Sequence, residues 1–244
     1  MPEIPDKSID MILCDLPYGV TGCKWDSIIP FDQLWLNYKR IIKNKGAILL
    51  FGTEPFSSSL RLSNIKQFKY DWIWDKVRPS GFQIAKVRPM LRHEIISVFC
   101  NGTLLYYPIM EPRDKPVKGK VCGNSESSPL SKCDHEVREY TEKYPQSILK
   151  ITKENSKLHP TQKPVALCEY LIKTYTNEGE TILDNCAGSF TTSVACDNIN
   201  RNWICIEKED KYCKIGLQRI NENRQKLGLS PVKDYLNYAY ETLF

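Results

Sequence analysis

Thr181-Ile-Leu-Asp-Asn-Cys-Ala-Gly-Ser-Phe-Thr-Thr192 is a short apolar run that stops at a carboxylate, turns through Gly188 and opens a helix predicted over about Phe190 to Asn198. A second apolar run, Trp203 to Ile206, follows and stops at Glu207. Strand, helix, strand is the unit of a parallel sheet, because a parallel connection needs a crossover and a helix supplies it. The same pattern occurs upstream. Met11-Ile-Leu-Cys14 stops at Asp15, and Phe31, Leu34, Trp35, Tyr38 and Ile41 then recur at helical spacing. Lys45-Gly46 breaks that pattern before the apolar run Ala47 to Phe51. Tyr70 to Trp74 and Glu94 to Phe99 predict two further strands, joined by a loop containing Pro79, Gly81 and Pro89. Pro164 suits the first position of a helix whose apolar face is Val165, Leu167, Cys168, Tyr170, Leu171 and Ile172. These elements predict an α/β fold with a doubly wound, mostly parallel sheet. In such sheets ligands bind beyond the carboxyl ends of the strands, where Asp15, Asp184 and Glu207 all fall.

A chain of 244 residues accommodates one such domain and a small inserted lobe. Pro, Gly, Ser and alternating charges between about Gly102 and Lys157 mark that lobe. The expected division is 1–101 and 158–226 as two parts of the main domain, 102–157 as the insertion and 227–244 as a C-terminal extension. Lys and Arg number 34 against 29 Asp and Glu, a mild excess that suits an anionic partner. The ten cysteines are scattered in a chain with no signal peptide, so reduced thiols and a cytoplasmic location are expected. No run approaches the roughly eighteen apolar residues of a membrane helix. Cys122, Cys133 and His135 lack the spacing of a zinc site, so no metal is expected. His93, His135 and His159 sit in no nucleophile signature, which gives hydrolase chemistry little support.

Two stretches carry chemistry. Asp15-Leu-Pro-Tyr18 puts a carboxylate, a stiffly held carbonyl and an aromatic face at one strand end. The exocyclic amine of a nucleobase is a poor nucleophile because its lone pair is delocalised into the ring. Hydrogen bonds from its N–H groups to Asp15 and to the Leu16 carbonyl draw that nitrogen toward a tetrahedral geometry, and Tyr18 is placed to stack on a base turned out of a duplex. An Asp-initiated turn stiffened by Pro17, with Tyr18 simply packed, stays open as the alternative. Asp184 to Thr192 opens a helix whose N–H groups favour an anionic group, and Gly188 permits close approach. About twenty residues on, Glu207 is placed to accept hydrogen bonds from ribose hydroxyls. An adenosyl cofactor bearing a carboxylate suits both ends; a tight turn and a solvated strand end is the other reading.

Taken with His159-Pro-Thr-Gln-Lys-Pro164, these stretches resemble the N-6 adenine and N-4 cytosine DNA methylases, in particular the permuted beta class in which the catalytic tetrapeptide precedes the cofactor loop. The resemblance runs from about Ile4 to Lys211, interrupted by the loose lobe. It implies a Rossmann-like S-adenosylmethionine-dependent methyltransferase fold with the lobe as target-recognition region, and transfer of a methyl group from S-adenosylmethionine to adenine N6 in double-stranded DNA with a flipped target adenine. It implies a catalytic role for Asp15, Leu16, Pro17 and Tyr18. The cofactor pocket it implies comprises His159, Pro160, Thr161, Lys163, Asp184, Ala187, Gly188, Ser189, Thr191, Thr192 and Glu207. Asp at position 15 is similar to the adenine subgroup. A homodimer and a cognate restriction enzyme are further family expectations.

DNA contacts are expected from Lys76, Arg78, Lys86, Arg88 and Arg92, a stretch with no acid between Lys76 and Arg92, and from Arg113 in the lobe. Trp72 and Trp74 are read as core. Cytosine N4 or RNA as substrate stays open, as does a DNA-binding remnant that has lost the cofactor. The remnant reading is motivated by two departures. The family's strand and Gly-Asp turn have no counterpart ahead of Ile4-Pro-Asp-Lys-Ser8, and Phe190 stands where a second glycine is usual. Phe190 either crowds the pocket or packs beneath it.

Overall fold

A computed structural model describes residues 1–20, 26–120, 137–153 and 162–232. Its strands are β1 (Ile9–Cys14), β2 (Ile42–Gly52), β3 (Phe68–Ser80), β4 (Leu91–Phe99), β5 (Glu111–Lys120), β6 (Val137–Lys143), β7 (Ile148–Lys150), β8 (Thr181–Asp184) and β9 (Asn202–Cys205). The helices are α1 (Phe31–Ile41), α2 (Phe56–Ser63), α3 (Val165–Tyr175), α4 (Thr191–Asn198) and α5 (Asp210–Lys226). Seven strands form the main sheet in the order β7-β3-β4-β2-β1-β8-β9. The pairs β1–β2, β1–β8, β8–β9 and β3–β7 are parallel, and β4 runs antiparallel to both its neighbours. The expected mostly parallel, doubly wound α/β sheet is what forms.

The central strands read as unbroken apolar runs because both of their faces are covered. Met11, Leu13, Ala47, Leu49 and Phe51 join one core with Leu167, Cys168 and Leu171 of α3 and Ala195 and Cys196 of α4. The alternate residues Ile12, Cys14, Ile48 and Leu50 join another with Leu34, Trp35, Tyr38 and Ile41 of α1 and Phe56 and Leu60 of α2. Two-residue alternation thus feeds two hydrophobic layers from one sheet. Trp72 and Trp74 are core residues, 3% and 1% exposed. No helix among the described residues is long and apolar enough to cross a membrane.

Several local expectations need correction. Lys45-Gly46 does not separate α1 from the next strand. It lies inside β2, whose register against β1 jumps from Ile9↔Ile42 to Met11↔Ala47. A Cβ at Gly46 would stand 2.7 Å from the Asp10 carbonyl, so the close backbone approach accounts for the glycine. Pro164 caps α3 rather than opening it, with extended backbone at ψ 137. The insertion is also narrower than 102–157, since the separate compact unit is Pro108–Gln146 and Ile148–Lys150 belongs to the main sheet as β7. That smaller unit contains the antiparallel pair β5–β6, in which Arg113 Nε donates to the Glu142 carbonyl (3.0 Å) and Lys143 pairs with Glu111 (3.1 Å).

Phe190 is the cap residue of α4, with φ 58 in the left-handed region. It is 5% exposed and packs with Ala187, Val194 and Ile220. A Cβ at Gly216 of α5 would lie 2.5 Å from its ring. Of the two readings of Phe190, packing beneath the loop is the one that holds. Alanine at a helical glycine gains about 0.5–1 kcal/mol of propensity, whereas forcing a side chain into a filled space costs about 1–3 kcal/mol. Gly216→Ala is therefore expected to destabilise the fold, lowering Tm by about 2–4 °C for each kcal/mol at this chain length. A thermal melt that matches wild type would mean the ring has room to yield.

Candidate active site

The sheet delivers Asp15, Asp184 and Glu207 to one edge, because β1, β8 and β9 are parallel neighbours and each acid stands at or just past a strand's carboxyl end. Beyond that edge lies a cavity of about 430 Å³. Its walls include all of Asp15, Leu16, Pro17 and Tyr18, together with Gly188 and Glu207. The expected amine-orienting tetrapeptide and part of the expected cofactor loop thus open into the same space.

Asp15 is held from both sides. Tyr18 donates its hydroxyl proton to Asp15 Oδ1 (2.5 Å), and the Lys163 ammonium is ion-paired with Oδ2. Burial, with the Asp15 and Glu94 carboxylates next, pushes the Tyr18 phenol well above its ordinary pKa, so it remains a donor. The Tyr18 ring leans on Phe56, centroids 5.0 Å apart. The backbone that follows is clamped, since Gly19 N–H and Val20 N–H donate to the Asp26 carboxylate at 2.8 and 3.0 Å.

Lys163, expected in the cofactor pocket, lines both the large cavity and the small one, and it also carries an ion pair that the motif did not announce. Its ammonium lies between Asp15 and Glu94 Oε2 (3.4 Å) and 5.0 Å from the centre of the Phe51 ring. Lys76 in turn stands 3.5 Å from Glu94 Oε1. Lys76, Glu94, Lys163 and Asp15 form a row of alternating charge in the cavity wall, each charge beside one of opposite sign. Burial alone would lower the Lys163 pKa, but Asp15 and Glu94 outweigh it and hold it above its ordinary value. Burial alone would raise Glu94, and Lys163 and Lys76 outweigh that in the other direction.

The segment after β8 is braced largely through its own side chains. Asp184 accepts from the Cys186 N–H (3.1 Å) and the Thr192 hydroxyl (2.6 Å). Ser189 donates to Gln162 Oε1 (3.1 Å), and Arg219 of α5 donates to Ser189 O (3.0 Å) and Thr191 Oγ1 (2.8 Å). Asp184, Ala187, Ser189, Thr191 and Thr192 face a second, small cavity of about 50 Å³ rather than the large one. Gly188 N–H donates to Glu207 Oε2 (2.7 Å) and Glu209 N–H to Oε1 (2.9 Å), which fixes the Glu207 carboxylate at the rim of the large cavity. Phe190 lines neither space. His159, Pro160 and Thr161 lie outside the described residues, as do Cys122, Cys133 and His135.

This arrangement has relatives. Residues 9–218 match the family model N6_N4_Mtase, described as DNA methylase. The chain belongs to that DNA methylase family. The resemblance read from its motifs is borne out at the level of the N-6 adenine and N-4 cytosine DNA methylases. The methylase is 28% identical to the type II methyltransferase M.HinfI of Haemophilus influenzae, over 91% of this chain and 66% of that one. It is 26% identical to the DNA adenine methyltransferase YhdJ of Escherichia coli K12, over 91% and 79% of the two chains. TTHA0409 of Thermus thermophilus, solved in complex with S-adenosyl-L-methionine, shares the fold with a TM-score of 0.59 at 17% identity, covering 91% of this chain and 89% of that one.

The basic residues of the methylase divide. Arg78, Lys86 and Arg88 are exposed on the β3–β4 hairpin. Lys76 is not at the surface. It is 5% exposed and directs its charge to Glu94, which corrects its assignment to DNA. Arg92 is exposed but grips Asp75 with two bonds of 2.8 and 2.9 Å, holding that carboxyl at about 2. Glu94 and Arg219 lie in no quoted motif and were missed as site residues. Asn185 was not singled out although it lies within the stretch Asp184 to Thr192; it is held by the Tyr38 hydroxyl (2.5 Å) from α1, 147 residues away.

Asp184 carries a pH dependence. Burial raises its carboxyl to about 6, and the bonds from Thr192 and Cys186 offset this only in part. Unfolded, such a carboxyl titrates near ~4. Between those values the folded methylase holds a proton that the unfolded chain has released, so this group's contribution to stability falls as pH rises toward 6. Asp184→Asn removes that term. The Tm gap between wild type and variant is therefore expected to move in favour of wild type as pH drops from 8 to 5, read from melts at both values; a gap independent of pH would show that Asp184 is not raised.

Proposed function

We propose that this methylase transfers the methyl group of S-adenosylmethionine to the N6 amino group of a flipped adenine in duplex DNA, in the permuted order in which the catalytic tetrapeptide precedes the cofactor segment. The observation that carries this reading is one cavity shared by Asp15–Tyr18 and by Gly188 and Glu207. At about 430 Å³ it falls within the range of roughly 300–1,000 Å³ typical of small-molecule sites. The chemistry of its wall fits the cofactor: a carboxylate fixed by two backbone N–H groups suits ribose hydroxyls. Glu207 and Gly188 are the residues that would hold it. When bound, S-adenosylmethionine supplies an electrophilic sulfonium methyl.

The chain supplies the rest. Asp15 accepts a hydrogen bond from the N6 amine and the Leu16 carbonyl accepts a second, which localises the nitrogen lone pair on the side facing the methyl. Tyr18 and Lys163 fix the carboxylate that does this, so its orientation is set before the base arrives. Charge grows positive at N6 as the bond forms, and the ionised Asp15 stabilises it. A DNA-binding remnant has less to recommend it, since Phe190 packs on Gly216 and lines neither cavity. The thiols are all free among the described residues, in keeping with a cytoplasmic setting.

The test is to incubate the purified chain with isotope-labelled S-adenosylmethionine and unmethylated duplex DNA, then identify labelled nucleosides by mass spectrometry. Label in N6-methyl-2′-deoxyadenosine is the expected result. Label in N4-methyl-2′-deoxycytidine, or none at all, overturns the proposal.

A further inference from the structure

The β3–β4 hairpin does not stop at the cavity. Ser80 and Leu91 are partners in register and both line the cavity wall, while the residues between them project past it. The tip is built rather than loose. Gly81 takes φ 89, Phe82–Ile84 form one turn of 3₁₀ helix, and the turn is closed by bonds from the Ala85 N–H to Phe82 O (3.1 Å) and from the Val87 N–H to Ile84 O (3.0 Å). Yet this preformed turn displays apolar groups. Phe82 is 78% exposed and Val87 83% exposed. Around them stand the exposed cations Arg78, Lys86 and Arg88, and no acidic residue occurs between Lys76 and Arg92.

An exposed aromatic ring on a hairpin whose charged tip residues are all exposed cations is a poor design for solvent and for a protein core alike, but it suits a polyanion with an apolar interior. Duplex DNA is that partner, provided a gap opens in its stack. A base turned into the Asp15 cavity leaves such a gap. Phe82 is two residues beyond Ser80, so its backbone lies within about 7 Å of the cavity wall, on the scale of two base steps. The residue that can fill the hole is therefore beside the place to which the base has gone.

We infer that Phe82 enters the duplex and stacks in the space vacated by the target base, with Arg78, Lys86 and Arg88 on the flanking phosphates. This rests on the base-flipping reading above. Stacking an aromatic ring on a base is worth about ten- to hundredfold in an equilibrium, so Phe82 acts by raising the population of the extruded base and not by touching the reacting atoms.

The experiment uses the full chain and two duplexes that carry a methylatable adenine, one fully paired and one with an abasic site opposite that adenine, so that extrusion is already easy. On the paired duplex, Phe82→Ala is expected to slow single-turnover methylation by about ten- to hundredfold, and Phe82→Trp to stay near wild type. On the abasic duplex, Phe82→Ala is expected to come within about threefold of wild type. An equal loss on both duplexes overturns the inference, because Phe82 would then serve folding or general binding. No loss on the paired duplex also overturns it, and would leave adenine methylation itself standing. Wild type inactive on both duplexes would instead sink the functional reading on which the inference rests.

Discussion

Asp15→Ala is expected to lower the methylation rate by about 10²- to 10⁴-fold, with the KM for DNA little changed. The amine is a nucleophile only while its N–H groups are engaged, and Asp15 is the one carboxylate of the tetrapeptide that opens on the large cavity. Asp15→Asn keeps an acceptor oxygen but loses the negative charge, so an intermediate rate is expected for it. Removing a partner from a buried ion pair also strains the fold, and Lys163 is 8% exposed. Glu94 remains beside Lys163, and the Asp15 side chain is 26% exposed, which moderates that cost. Single-turnover kinetics and a melt on the same samples separate the two effects. A folded Asp15→Ala that methylates at the wild-type rate would remove Asp15 from the chemistry.

Lys163→Met is expected to give the second large loss, of a different kind. In the proposed reaction Lys163 is a positioning residue, acting on the amine through Asp15. Without its ammonium, Asp15 and Glu94 lose the cation they share, and Lys76 is left paired with Glu94. Lys163 is the foremost of the cations that hold the Glu94 carboxyl below its ordinary range, so its loss lets a proton settle beside Asp15 more readily. The acidic limb of the pH–rate profile is thus expected to move to higher pH. The loss is expected to be deep near pH 6, shallower near pH 9, and small in Lys163→Arg, which keeps the charge. A uniform loss at every pH, with the limb unmoved, would reduce Lys163 to a packing role.

What could be read from the sequence followed the range of the forces involved. The strand–helix–strand pattern around Asp184 is local, since periodicity and a turn suffice, and so is the placing of Asp15 at a strand end. Lys76 shows the opposite case. In a run with Arg78, Lys86 and Arg88 it looks like surface, and only Glu94, eighteen residues downstream on the paired strand, makes its burial tolerable. Lys163 belonged by motif to the cofactor segment, but its partner Asp15 is 148 residues away and no spacing announces the pair. Ile148–Lys150 escaped notice because a three-residue edge strand buries only Leu149 and has no room for a pattern. The short helix α2 is hidden by Ser57-Ser58-Ser59, residues with little helical preference. Phe190 was ambiguous for a further reason: whether a ring crowds a pocket or underlies it depends on α5, and specifically on the absence of a side chain at Gly216.

The residues that flank the inserted segment, Tyr107 and Ser147, are fastened within the larger unit. Tyr107 N–H donates to the Thr174 carbonyl (2.8 Å) at the end of α3, and the Ser147 carbonyl accepts from the Ile73 N–H (2.8 Å) of β3. The chain therefore leaves and re-enters at two backbone positions that are fixed by residues the segment does not contain. An evolving lineage can exchange 108–146 wholesale, as one changes the bit in a drill chuck, while every hydrogen bond of the seven-stranded sheet stays in place. With the insertion as the target-recognition region that the resemblance implies, new sequence preferences can arise by replacing one cassette, without a search through the catalytic machinery.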